Sequence, residues 1–170
     1  MDKFEKIILT ELAGGSMLRV TKKLTAEGVI QQRDNFCYLK IDDDYIHLTH
    51  PLLNEHGVIE KPAYFIPPDD VGAHISIIYP EENKIPQIAI EQKHHFSICG
   101  LLKARYGLKE YFALVVNSPS LAAFRQKHHL AARPTFKSQE VFFILRLASG
   151  IVLKMLLARL QANRIIRNIL

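Results

Sequence analysis

What this chain lacks narrows it before any motif is sought. Its 170 residues hold only two cysteines, Cys37 and Cys99, with no C-x-x-C spacing, so neither a disulfide framework nor a cysteine zinc site is implied. It has no window of eighteen uncharged apolar residues: Val141 to Leu160 comes closest, and Arg146, Lys154 and Arg159 interrupt it, so no spanning helix is expected. The opening MDKFEKIILTELAGG mixes acids with its lysines and lacks the pattern of a secretory signal. A cytoplasmic chain is the expectation, and a membrane is not expected among its partners. There is no repeat of solenoid length and no low-complexity segment.

Acid is missing from one place only. Residues 1–140 hold 17 Lys/Arg against 17 Asp/Glu, whereas the last thirty carry Arg146, Lys154, Arg159, Arg164 and Arg167 with no acid at all. The net charge of +5 therefore sits entirely in the tail, which argues against a body that coats nucleic acid through a basic patch. An apolar content of 48% with 23% charged residues suits a globular domain, and this length suits one domain or two small lobes sharing a core.

The local patterns predict an α+β order. LRVTKKL, VIQQ and FCYLKI read as strands with a turn near Glu27-Gly28. DDDYIHLTHPLLNEHG reads as helix broken near Pro51, and KPAYFIPPDD, with three prolines, as loop. AHISIIY, HHFSICGLLKAR and EYFALVVN read as strands, the last being the richest in β-branched and aromatic residues. SPSLAAFRQKHHL has a Ser118 N-cap and Pro119 at the first helical position. ARPTFKSQE reads as loop, VFFILRL as strand, and Ile151 to Leu170 repeats its apolar residues at roughly helical spacing.

Within VGAHISIIYP, His74 and Ser76 lie two apart, so on a strand they share a face. An imidazole beside a hydroxyl can move a proton and hold an oxyanion; a buried strand whose polar residues satisfy each other is the alternative. HLTH repeats the spacing at His47 and Thr49, but on an expected helix the pair diverges. His47, His50 and His56 approach ligand spacing without a completing Cys or acid, so no metal is expected. The basic C-terminal segment fits either membrane or partner docking, or ordinary packing on a sheet.

KPAYFIPPDDVGAHISIIYPEE, FSICGL and YFALVVNSPSLAAFRQKHHLAARPTF together resemble the two-histidine (2H) phosphoesterase superfamily, and within it the group described as Swiss Army Knife RNA-repair-like proteins. The likeness covers roughly residues 20–140. It implies a bilobal α+β fold whose antiparallel sheets form a central cleft with flanking helices. Each lobe would offer one His-x-Ser/Thr strand for metal-free hydrolysis of 2′-5′ or 2′,3′-cyclic phosphodiesters of RNA or nucleotides. No cofactor is implied; the implied partners are RNA ends or a cyclic nucleotide. By this resemblance His74 is an acid–base residue and Ser76 a phosphate-oxygen donor; Arg133 and Lys137 are nearby basic residues expected to bind the substrate's phosphate.

The second motif is missing where the chain reads EVFFILRLASG: Phe143 stands about where the histidine belongs and Leu145 where the Ser or Thr belongs. Without a second proton-transfer group, impaired turnover is expected, by ~10²–10⁴. Phe143 to Leu147 can be encoded TTC ATA TTA CGG TTG, which read two bases later gives His-Ile-Thr-Val. The expectation is a 2H-like domain over residues 1–145 and a basic amphipathic C-terminal helix over 146–170, with a frame-shifted tail as the alternative reading of that segment. A non-catalytic nucleotide- or RNA-end-binding module, or an interaction protein acting through that helix, is the alternative.

Overall fold

The computed structural model describes residues 7–56, 59–62, 71–82 and 92–151. In chain order the elements are β1 (Ile8–Leu12), α1 (Gly15–Thr21), β2 (Glu27–Arg33), β3 (Phe36–Lys40), α2 (Asp44–His47), a 3-10 helix (His50–His56), β4 (Ile59–Glu60), β5 (His74–Ile78), β6 (Lys93–His95), β7 (Ser97–Tyr106), β8 (Lys109–Asn117), α3 (Pro119–Lys127), β9 (Thr135–Phe136), β10 (Gln139–Glu140) and β11 (Phe143–Ile151). The α+β class holds. Eight strands run β1-β7-β8-β11-β5-β3-β2-β6 in one antiparallel sheet, and β4 joins as a ninth on β11. β9 and β10 form a separate hairpin.

β5 lies in the middle, between β3 and β11. Ile75, Ile77 and Ile78 are fully buried, and the register against β3 shifts between Ser76 and Ile78. They pack with Leu39 of β3, Leu114 of β8, Leu145 of β11 and Leu121 of α3 in one core cluster. Each such aliphatic side chain contributes about 1.5–3 kcal/mol by leaving water. α3 starts as the sequence indicates: the Ser118 Oγ accepts from the Leu121 N–H at 3.3 Å and donates to the His95 carbonyl at 2.7 Å.

Three local expectations fail for tertiary reasons. LRVTKKL was expected as strand, but Gly15–Thr21 is α1, with Met17 and Thr21 buried one turn apart; burial of that stripe outweighs the β preference of Val20 and Thr21. Glu27-Gly28 opens β2 rather than turning, and the chain reverses instead at Asp34, whose φ is 52°. ARPTFKSQE contains the β9–β10 hairpin, closed by Lys137 and Ser138 at φ 50° and 60°, a primed turn without its usual Asn-Gly signature. β11 also runs past the expected boundary at residue 145, so Arg146 to Gly150 belong to the sheet. The expected helix over 151–170 lies outside the described residues beyond Ile151, as do residues 63–70 of the proline-rich loop.

A buried ion pair fastens the sheet to what covers it. Arg125 on α3 uses all five of its N–H donors: Nε to Ala131 O (2.7 Å), Nη1 to Ile77 O (2.5 Å) and Glu82 Oε2 (2.9 Å), and Nη2 to Glu82 Oε1 (2.6 Å) and Arg133 O (2.9 Å). Glu82 also accepts the Tyr79 and Thr135 amides at 2.9 and 2.7 Å. Removing one member leaves the other charge buried. Glu82→Ala is therefore expected to cost about 3–5 kcal/mol in denaturant unfolding, and the double change Glu82→Met/Arg125→Met less than Glu82→Ala alone.

Candidate active site

On the face of β5 opposite the isoleucine core, His74 and Ser76 line a cavity of about 390 Å³. Phe36, Tyr79, Tyr106, Tyr111, Phe136 and Phe142 supply most of its aromatic wall. His74 is 7% exposed. The rings of Phe36 and Tyr38 stand edge-on to it, with centroids 5.6 and 5.4 Å away. Its Nδ1 lies 2.9 Å from the Gly72 carbonyl. A carbonyl can only accept, so Nδ1 carries the proton and Nε2 holds the lone pair.

The carbonyl that orients this ring is itself clamped. The Asp43 carboxylate accepts the Ala73 N–H at 2.7 Å and the Lys40 ammonium, and Lys40 also reaches the Ala73 carbonyl at 3.4 Å. Burial works to raise the Asp43 pKa, but the hydrogen bonds from Lys40 and Ala73 hold it below the usual carboxylate value. Gly72 turns here at φ 69°, and a Cβ there would sit 2.3 Å from Asp43 Oδ1 and 2.4 Å from Lys40 Nζ. Gly72→Ala is expected to destabilise the fold by about 1–3 kcal/mol and to disturb the His74 ring resonances; a variant with unchanged stability and spectrum would show that the clamp is slack.

A family model for the Swiss Army Knife 2H phosphoesterase domain matches residues 37–142. The chain belongs to that family. No curated protein and no solved structure matches it. Family membership brings with it an ancestry in cyclic phosphodiester hydrolysis. The match ends at the residue before β11, the strand expected to carry the second half-site of the 2H domain.

On β11 the expected positions need correction. Leu145 pairs with Ile75, so Phe143, Leu145 and Leu147 share the core side and are buried. The cavity side of β11 carries Ile144 and Arg146, which both line the cavity. Antiparallel register sets Arg146 across from His74 and Ile144 across from Ser76. The alternation of buried apolar residues from Phe143 onward was the signal that could have identified this face. Neither Ile144 nor Arg146 moves protons at neutral pH.

Arg133 and Lys137 are not among the cavity-lining residues and lie instead against two of its aromatic rings. The Arg133 guanidinium lies 5.1 Å from the centroid of the Phe142 ring and pairs with Glu140 at 3.3 Å. The Lys137 ammonium lies 5.8 Å from the Phe136 centroid. Of HLTH, Thr49 is buried with its hydroxyl on the Tyr45 carbonyl at 2.5 Å, while His47 is exposed near Lys61. Among the described residues no three His, Cys, Asp or Glu side chains gather as a metal site, and no helix is long and apolar enough to cross a membrane.

Burial drives the His74 pKa down to about 4; the Gly72 hydrogen bond opposes this, and the charges of Arg146 and Lys40 add to it. With the folded value below the unfolded 6.5, the unfolded chain binds the extra proton between those two values. Stability contributed by neutral His74 is thus present above about pH 6.5 and lost as pH falls toward 4. An NMR titration of the imidazole should show a midpoint near 4; one near the ordinary histidine value would mean that the ring is solvated.

Proposed function

We propose that this protein binds 2′,3′-cyclic or 2′-5′ phosphodiesters of RNA or nucleotides and hydrolyses them slowly, through the single half-site His74/Ser76. The observation that carries this reading is the shared presentation of that pair to an aromatic-lined cavity within a 2H domain. Neutral His74 takes a proton at Nε2 from water as the water oxygen attacks phosphorus and the bond from phosphorus to the 2′-oxygen breaks. The Ser76 hydroxyl donates to a non-bridging oxygen as charge builds there. The leaving oxygen takes its proton from solvent, because β11 offers no acid to supply it. In this reading β5 and β11 are the motif strands of two pseudo-symmetric lobes, and Arg133 and Lys137 steer an anionic chain toward the rim. Both cysteines are free thiols, in keeping with the cytoplasmic compartment we assign.

A second reading, binding without turnover, draws support from the six aromatic rings on which a base can stack. One experiment separates the two. Hydrolysis of a 2′,3′-cyclic nucleotide is expected at ~10²–10⁴ below ordinary enzyme rates, to vanish in His74→Ala, and to fall as pH drops through about 4 while the base is protonated. Saturable binding with no turnover selects the binding module. Turnover unchanged in His74→Ala would overturn the assignment of the base.

A further inference from the structure

We propose that Arg146 is the phosphate anchor of this cavity: from across the strand pair it grips the same phosphate that His74 and Ser76 face, replacing a proton-transfer half-site by a fixed cation. This rests on the phosphodiester reading above and adds a residue to it that the expected motif would not contain.

Several independent features converge on Arg146. The Leu145–Ile75 pairing brings its side chain to the cavity face beside His74. The guanidinium lies 5.6 Å from the centroid of the Tyr111 ring, a stacking contact that limits the freedom of a long side chain. The register with β8 shifts between Arg146 and Ala148, and such a bulge bends the strand and re-aims the side chains beside it. Among the described lining residues there is no Asp or Glu, and Arg146 carries the only formal charge at neutral pH. A planar guanidinium presents paired N–H donors that match two phosphate oxygens. It stays protonated across the physiological range, so it adds affinity without supplying the missing acid. Grip of this kind holds substrate and product alike, which tightens binding without speeding the chemical step.

Titration calorimetry on the intact chain tests this with 2′,3′-cyclic adenosine monophosphate, inorganic phosphate and adenosine as probes. Arg146→Gln is expected to weaken the cyclic nucleotide by about 10- to 100-fold, to abolish competition by inorganic phosphate, and to leave adenosine binding unchanged. Arg146→Lys should recover part of the loss. Thermal unfolding checks that the variants fold, and Arg146→Met, which keeps an apolar stem against Tyr111, replaces Arg146→Gln if the latter does not. If Arg146→Gln binds the cyclic nucleotide like the wild type while Ser76→Ala weakens it, the anchor falls and the phosphodiester reading stands. If the wild type binds neither phosphate-bearing probe, both fall together.

Discussion

The Arg125–Glu82 pair is the interaction on which the cavity side of the molecule depends. Its five hydrogen bonds join the end of β5, helix α3 and the segment from Ala131 to Arg133, and Glu82 adds the Tyr79 and Thr135 amides. Both side chains are nearly sealed from water, 1% and 4% exposed. Desolvating two charges is expensive, and an apolar pair of the same shape would often be as stable. What the ions supply here is direction: only one placement of the covering segment satisfies every donor. Tyr79 and Phe136, which wall the cavity, sit on the residues so fixed and touch each other with centroids 5.0 Å apart.

From that frame the chemistry follows by two further constraints. The Lys40–Asp43 clamp sets the Gly72 carbonyl, and the carbonyl sets the tautomer of His74. Burial then keeps the ring neutral, so at physiological pH His74 stands as a base, and no Asp or Glu is found among the described lining residues. The strand that presents this neutral ring also presents the Ser76 hydroxyl to the same aromatic-walled cavity.

Much of this could be read from residue order. Period-two alternation with β-branched and aromatic residues identified β2, β3, β5, β7 and β8, and the Ser-Pro start identified α3, because those signals arise within the element itself. The shared face of His74 and Ser76 was legible for the same reason. α1 was not, since its fate is decided by what Met17 and Thr21 are buried against. Nor was the role of Arg125, which stands in FRQKHH like any solvent-facing cation and acquires its meaning only from Glu82, 43 positions earlier. On β11 the expected motif positions, Phe143 and Leu145, are offset by one residue from the pair that lines the cavity, and such an offset moves a side chain to the other face. Phe143, Leu145 and Leu147 mark the inner face, so the outer one belongs to Ile144 and Arg146.

β11 is gripped along both edges: β8 follows it from Phe143 to Ile151, while β5 and β4 share the opposite side. Main-chain ladders of this sort read neither the charge nor the chemistry of what projects from them. Provided that every second side chain remains greasy enough for the interior, the outward positions can be rewritten wholesale and the architecture survives. A catalytic motif lodged on such a strand is therefore among the easiest features of the molecule to erase, and the vacated ground among the easiest to put to another use.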